Sequence, residues 1–265
     1  MHSILSSFID NRKLIWRLVK RDLQARYRGS MLGMAWTVLT PLFLLLVFTF
    51  VFSVVFQSRW NVEVTGKGQF ALILFCGLII YQMVADCANR APTLLLENVA
   101  YIKKVVFPLD TLAWVSVGGA LVNFLISYVL LLIGQLVLIG TLHWTMIFLP
   151  LVLLPLMLFV VGSVWLLSSV GMYIRDLKQL VGVVVTMLMF LSPIFYPIQA
   201  IPEGFRIFIY LNPLAFMMEQ LRAITLFGNI PNIPGLALIT GLMLAFFLFS
   251  GWWFNKVKKG FADVV

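Results

Sequence analysis

SPIFYPIQAIPEGFRIFIYLNPLAFMMEQLR, residues Ser192–Arg222, is the stretch that decides the fold. It is too apolar for an ordinary loop, but four prolines and four charged side chains interrupt it. These are Pro193, Pro197, Pro202 and Pro213, and Glu203, Arg206, Glu219 and Arg222. Backbone in hydrocarbon must satisfy its own hydrogen bonds, so an interrupted apolar segment is stable at membrane depth only beside protein or water. The pattern predicts a re-entrant hairpin that lines or covers a pathway, which indicates a transporter.

The composition of the whole chain predicts an all-α integral membrane protein. Of its 265 residues, 62% are hydrophobic and 11% are charged, whereas a soluble domain carries about 25% charged residues. The chain has 19 Lys and Arg against 10 Asp and Glu. These basic residues form short clusters beside the apolar segments, so they indicate membrane topology rather than a nucleic-acid interface.

Six apolar segments are predicted to span the membrane, in one membrane domain that covers residues 1–265. They are residues 29–58, 68–90, 109–140, 146–173, 179–196 and 234–255, and the re-entrant hairpin occupies residues 197–226. The run Thr111–Ile174 contains 64 residues without Asp, Glu, Lys or Arg. As one helix it would extend about 96 Å across a hydrocarbon core of about 30 Å, so it must fold back. The turn signal is GTLHWT at residues 140–145.

The distribution of Lys and Arg predicts the orientation. With six spans both termini share a side, and that side collects 14 Lys and Arg while the opposite side has four, with Arg90 uncounted. The positive-inside rule therefore places both termini in the cytoplasm and the hairpin at the outer face. The charged side chains of the hairpin, among them Glu219 and Arg222, are expected at its watery rim.

The segment at residues 11–28 is predicted to be a basic amphipathic helix in the cytoplasmic interface. Its apolar face holds Leu14, Ile15, Leu18 and Leu23. Its polar face holds Lys13, Arg17, Lys20, Arg21, Gln24 and Arg28. Such a helix lies in the membrane surface rather than across it. It is either a topology anchor or the frame of a lipid entrance.

The chemistry of a self-contained pump is missing from the sequence. No G-x-x-x-x-G-K-[ST] occurs, so no nucleotide site is predicted, and His2, His143 and two distant cysteines do not predict a metal site. The acidic residues are scattered, which disfavours an intramembrane transferase. Asp86 and Arg90 lie at i,i+4 near the end of the second span. They are expected to form a structural ion pair, with a proton or substrate site as the alternative.

The loop at residues 97–108, ENVAYIKKVVFP, is short and mixed in character. Val99, Ile102, Val105 and Val106 form one face, and Lys103 and Lys104 lie on another. Periodicity leaves two readings open: a positively charged loop with an interfacial half-turn, or a docking helix for a soluble partner.

Several motifs, in the same order over about residues 10–255, resemble the membrane subunit of ABC-2 type exporters, in particular the branch that exports polysaccharides such as O-antigen, capsule and teichoic acid. They are R-Y-R-G-S-x-L-G-x-x-W-x-x-x-x-P (26–41), N-x-x-x-I-K-K-V-x-F-P (98–108), R-D-L (175–177), S-P-I-F-Y-P (192–197) and L-N-P (211–213). Each motif alone is weak, but the ordered set is specific. Asp86 and Arg90 are not part of the family pattern, so their role stays open.

The resemblance implies a homodimer in the bacterial cytoplasmic (inner) membrane, bound to two copies of a separate ABC ATPase that holds ATP and Mg. The chain itself would be neither an enzyme nor the holder of a cofactor. The expected substrate is a polyprenyl-diphosphate-linked glycan. An ABC-2 exporter of a drug or small lipid is the alternative, and a secondary transporter or an intramembrane transferase is more remote.

The resemblance also assigns roles to particular residues. Coupling to the ATPase falls to Asn98, Tyr101, Ile102, Lys103, Lys104 and Phe107. The rim of the lipid-diphosphate entrance is assigned to Arg17, Lys20, Arg21, Arg26 and Arg28. The outer gate is assigned to Pro193, Phe195, Tyr196, Pro197, Asn212, Pro213 and Arg222.

Overall fold

The computed structural model describes residues 8–26, 29–51, 68–103, 107–198 and 201–261, and these ranges contain helices and turns but no strand. The α-helices, in chain order, are α1 (Arg12–Arg26), α2 (Trp36–Phe48), α3 (Gln69–Leu94), α4 (Val99–Ile102), α5 (Thr111–Leu138), α6 (Leu149–Gly171), α7 (Leu177–Leu191), α8 (Glu203–Tyr210), α9 (Pro213–Thr225) and α10 (Ile233–Val257). Short 3-10 segments precede α2, α4 and α6. The all-α expectation agrees with this architecture.

Within the described ranges, five helical stretches are long and apolar enough to cross a membrane. They are Gly33–Val51, Gln69–Leu94, Thr111–Leu138, Trp144–Gly171 and Ile233–Gly260. The helix α7 is apolar but has 15 residues, fewer than the roughly 20 that a straight span needs. The last part of the predicted first span, residues 52–58, lies outside the described residues. The chain is thus a multi-pass helical membrane protein.

Helix α3 is the centre of the bundle. It is apolar around most of its circumference and packs against α5, α6, α7 and α9, as expected for a helix without a polar face. Its residues Leu72, Ile73 and Cys76 are completely buried. Close approach is possible where glycine replaces a side chain, because a Cβ at Gly171 would collide with the backbone of Pro92.

Helix α10 packs along α6 over most of its length. A Cβ at Gly162 would lie 2.9 Å from Phe246, so this glycine lets α6 and α10 approach closely. Trp165 and Phe247 meet in the same interface, with ring centroids 5.0 Å apart. The pair α6 and α10 thereby supports one side of α3.

Helix α1 lies across one end of the bundle, and we call this the α1 end. Ile15, Leu18 and Val19 are buried against Val115 of α5. The opposite end contains the turn after α5, where Gly140 adopts φ 83°. The side chains at the α1 end and those near the turn after α5 thus form two groups, one at each end of α3.

Candidate functional site

The segment predicted to couple with an ATPase, residues 97–108, is called the coupling segment. It begins with a 3-10 turn and continues as the single turn of α4. The Asn98 side chain donates to the Leu94 carbonyl at 2.8 Å, which ties the segment to the end of α3. Tyr101 stacks on Phe107 with ring centroids 4.2 Å apart. Ile102 is half-buried and Lys103 is exposed. Lys104, Val105 and Val106 lie outside the described residues.

Helix α1 touches the coupling segment. The Arg21 guanidinium lies 5.8 Å from the centroid of the Tyr101 ring, a distance at which a cation is attracted to an aromatic face. Arg17, Lys20 and Arg21 of the predicted entrance rim are exposed on α1. Arg28 lies outside the described residues. The structure therefore brings one basic residue of the predicted rim to one aromatic residue of the predicted coupler.

Helix α1 is also bound to α3, through hydrogen bonds between Arg90 and Asp22. Arg90 donates two hydrogen bonds to the Asp22 carboxylate, from Nη2 to Oδ1 at 2.9 Å and from Nη1 to Oδ2 at 3.1 Å. Arg26, assigned to the entrance rim, donates from Nε to the same carboxylate at 3.0 Å. Burial alone would raise the pKa of Asp22, but the hydrogen bonds and charges of Arg90 and Arg26 outweigh it and lower this pKa. Asp22 therefore remains a carboxylate at neutral pH.

The prediction that Asp86 and Arg90 pair with each other is wrong. Arg90 reaches across to Asp22, and Asp86 instead accepts a hydrogen bond from Gln82 at 2.8 Å. The physical reason is geometric, because a guanidinium that meets a carboxylate with two parallel bonds is held more strongly than by a single contact along its own helix. The alternative reading of Asp86, as part of a ligand site, is thereby left in place.

Asp86 faces a cavity of about 560 Å³ between α2, α3, α5 and the last turn of α1. Its walls are polar near the α1 end and apolar further into the bundle. The polar lining comprises Arg26, Thr37, Thr40, Gln82, Asp86, Asn89, Arg90, Asn123 and Ser127. The apolar lining comprises Trp36, Pro41, Leu44, Phe75, Leu78 and Ile79.

The predicted outer gate forms a turn and two helices. Asn212 caps α9, because its Oδ1 accepts from the Leu214 N–H at 3.0 Å, and Pro213 occupies the first turn, where a missing N–H costs nothing. The Asn212 amide also donates to the Ser192 hydroxyl at 2.9 Å. This side-chain bond therefore joins the beginning of the Ser192–Arg222 segment to the start of α9. Pro193 is buried, and Phe195, Tyr196 and Pro197 are half-buried.

Arg222 does not lie at a watery rim, as the sequence led us to expect; its exposed fraction is 0%. Its Nε donates to the Ile73 carbonyl at 3.1 Å, and its Nη2 donates to the Ile194 carbonyl at 3.2 Å. Nη1 donates to Glu219 at 2.7 Å. A buried cation is stable when its donors meet acceptors and an opposite charge. Arg222 thereby connects α9 to α3 and to the S-P-I-F-Y-P turn.

The carboxyl end of α9 is held by polar side chains that sequence reasoning missed. Thr145 donates to the Ile224 carbonyl at 2.6 Å, and Gln135 donates to the Thr225 carbonyl at 2.9 Å. The last carbonyls of a helix lack partners within the helix, so these bonds satisfy groups that would otherwise be buried unpaired. The available signal was a Gln and a Thr within or beside apolar spans.

Comparison with known proteins gives matches that cover most of the chain. The family model described as ABC-2 type transporter matches residues 13–226. The O-antigen export system permease protein RfbA of Myxococcus xanthus is 27% identical over 256 residues, which cover 96% of each chain. A protein of the same name from Klebsiella pneumoniae is 28% identical over 252 residues, covering 94% of this chain and 93% of the relative.

A more distant relative is the polysialic acid transport protein KpsM of Escherichia coli. It is 24% identical over 228 residues, covering 85% of this chain and 86% of the relative. The family match runs from the first turn of α1 to the end of α9, and so includes the coupling segment and the outer turn. Because it covers well over half of its residues, this chain belongs to the ABC-2 type transporter family.

Proposed function

We propose that this chain is the channel-forming permease subunit of an ATP-driven exporter of a polyprenyl-diphosphate-linked polysaccharide. The observation that carries the proposal is similarity over nearly the whole length to permeases named for O-antigen export. A relative named for polysialic acid transport extends the similarity to another polysaccharide. The membrane is the bacterial cytoplasmic (inner) membrane, with both termini in the cytoplasm.

The working unit in this proposal is a homodimer of six-span subunits. Helix α7 is the additional span, extended towards residue 196 by the turn that follows it. Both α2 and α7 expose large apolar side chains, such as Phe43 on α2 and Phe190 on α7. A surface of this kind is stable against lipid or against a second subunit. This apolar surface supports the dimer without fixing which helices meet.

Two copies of a separate ABC ATPase, with ATP and Mg, supply the energy. The coupling segment is the proposed docking element, because it is short, lies at the α1 end and exposes Lys103. The contact of Arg21 with Tyr101 supports transmission of movement from the coupling segment to α1. The exposed Arg17, Lys20 and Arg21 then face the membrane surface, where basic groups attract a lipid diphosphate.

The outer hairpin is the proposed gate. Its prolines and the cap at Asn212 divide it into short helices, and Arg222 fixes one of them against α3. Such irregular backbone lines a pathway at low cost because protein satisfies its hydrogen bonds.

The test is reconstitution of the chain with a candidate ABC ATPase subunit from the same genome. We expect the two proteins to co-purify, and we expect vesicles that contain both to move a lipid-linked polysaccharide only when ATP is hydrolysed. Transport by the purified chain alone would overturn the proposal in favour of a secondary transporter. ATP-driven movement of a drug, with no movement of lipid-linked glycan, would assign the chain to a different branch of the family.

A further inference from the structure

Asp86 is a carboxylate on a membrane-spanning helix, and it faces the cavity described above, which Arg26 and Arg90 also line. Within the described residues its carboxylate forms no salt bridge, and its hydrogen-bond partners are the side chains of Gln82 and Asn123. A charge at membrane depth is costly unless it is paired. The position therefore favours a cationic group from outside the chain.

Asn123 lines the same cavity beside Asp86, and its side chain is a hydrogen-bond partner of the Asp86 carboxylate. Two amide side chains, Gln82 and Asn123, thus hold the carboxylate at the cavity wall without neutralising its charge. A ligand with several N–H donors on one positive centre supplies both the hydrogen bonds and the charge that a carboxylate accepts, which is the chemistry of a primary ammonium group.

The other end of the polar lining carries positive charge. Arg26 Nε and Nη2 and both terminal nitrogens of Arg90 bind Asp22. Both arginines line the cavity, and Arg26 Nη1 and Arg90 Nε are not used in the bonds to Asp22 named above. Asp22 and Asp86 balance the two arginines, so the site has no net charge. A neutral site suits a zwitterion, whereas a diphosphate prefers an excess of positive charge.

The rest of the cavity is apolar and continues along α3 away from the α1 end. Phe75, Leu78 and Ile79 line it on α3, and Pro41 and Leu44 line it on α2. A hydrocarbon chain gains free energy by lying on such a wall. A sugar ring would leave this part of the cavity without hydroxyl partners, so the lining favours a lipid.

We infer that the cavity binds an aminophospholipid of the phosphatidylethanolamine type, with its ammonium on Asp86, its phosphate towards Arg26 and Arg90, and an acyl chain along Leu78 and Leu44. This site goes beyond the proposed export function, since such a lipid is a component of the membrane rather than the exported glycan. Helix α1 supplies Arg26, so the bound lipid also contacts the element that touches the coupling segment.

The experiment uses the full chain purified in detergent and equimolar dioleoyl phosphatidylethanolamine, phosphatidylcholine and phosphatidylglycerol, with bound lipid measured by native mass spectrometry. Choline has no N–H, so we expect phosphatidylethanolamine to be retained about ten-fold over phosphatidylcholine, as one charged hydrogen bond predicts. Asp86→Asn keeps the volume of the side chain and should reduce this ratio to near one. Asp176→Asn, at an exposed acid beside the start of α7, is the matched control and should leave the ratio unchanged.

A second variant tests the apolar part of the site. Leu78→Phe fills the cavity beside α3 while Asp86 stays in place, so binding of both phosphatidylethanolamine and phosphatidylcholine should fall. Equal retention of these two lipids by the unaltered chain, or an unchanged preference in Asp86→Asn, would overturn the inference. Retention of a polyprenyl phosphate in preference to all three lipids would also overturn it.

The outcome is independent of the proposed function. ATPase binding and glycan export, measured in the same preparations, test the export proposal alone. Failure of export with intact selectivity for phosphatidylethanolamine contradicts the export proposal and leaves the lipid site standing. Loss of selectivity for phosphatidylethanolamine with normal export contradicts the lipid site and leaves the export proposal standing.

Discussion

Arg222 of α9 donates a hydrogen bond to the backbone carbonyl of Ile73 on α3, although 149 positions separate the two residues in sequence. The guanidinium is fully buried and also contacts Ile194 and Glu219. It therefore holds three parts of the chain together at the end of the bundle opposite α1.

Replacing Arg222 by Leu should destabilise the protein strongly. The change leaves two backbone carbonyls and Glu219 without their donor, and breaking a buried charge pair costs about 3–5 kcal/mol. The measurement is thermal unfolding of the purified chain in detergent, where we expect a clear fall in Tm. Glu203→Gln is the control, because Glu203 is exposed and 3.8 Å from Arg206. A similar Tm for Arg222→Leu and the control would contradict the anchoring role.

Asp22 and Arg90 should be energetically coupled. Hydrogen bonds to charged groups contribute about 1.5–3 kcal/mol, so each single Ala variant should loosen α1, and the double variant should cost less than the sum of the two. Protection of the α1 amides in hydrogen exchange measures this. Arg17→Ala serves as the control on the exposed face of α1. Strict additivity of the two Ala variants would show that the contact carries no coupling.

The docking of α1 should also resist mild acid. The pKa of Asp22 is lowered in the folded protein, so the stabilisation is present above its ordinary pKa of about 3.9 and is lost as pH falls through the lower folded-state pKa. We expect exchange from α1 to be unchanged between pH 7 and about 5 after correction for intrinsic rates. In Arg90→Gln the folded-state pKa loses its main lowering cause, so the docking of α1 should be weaker at pH 7 and should depend less on pH below 5. Release of α1 near pH 6 in the unaltered chain would count against this account.

Charge reversal in the coupling segment should separate ATP hydrolysis from export. Lys103→Glu combined with Lys104→Glu leaves the apolar contacts of Tyr101 and Phe107 intact, so the fold should be kept while export falls at least ten-fold. Export and ATPase rate are measured in the same vesicles. Lys178→Glu, at an exposed basic residue in the first turn of α7, provides the comparison. Unchanged export in the double variant would remove this segment from the coupling role.

Two substitutions at Asn212 distinguish its two bonds. Asn212→Asp keeps an acceptor for the Leu214 N–H but loses the donor to Ser192, whereas Asn212→Ala loses both. Loss of the cap costs about 1 kcal/mol, so Ala should lower Tm more than Asp. If the link to Ser192 matters for the gate, both variants should reduce export. Normal export in Asn212→Asp would limit this residue to helix capping.

The membrane class and the amphipathic character of α1 could be read from composition and periodicity because both are local properties. The helix start at Asn212-Pro213 is also a local property, since a cap and a proline act within one turn. The partner of Arg90 could not be found in this way. An acid four residues along the same helix was the obvious choice, but Asp22 lies 68 positions away.

The partners of Arg222 could not be found from the sequence either. A charge near the end of an apolar stretch suggests water, and only the packed structure reveals that Ile73 and Ile194 offer carbonyl groups to it. Gln135 and Thr145 are comparable, because an uncharged polar residue in a span gives no indication of which carbonyl it will meet.

Helix α3 binds α1 through Arg90 and α9 through Ile73, which are 17 positions apart, and the 16 residues between them contain no proline. A continuous helix of that length is a rod of about 26 Å. A displacement of α1 is therefore transmitted to α9 by rigid-body movement of α3 rather than by successive rearrangements of loops. Helix α9 would then shift when α3 tilts or slides, and the hydrogen bonds within α9 would stay unbroken.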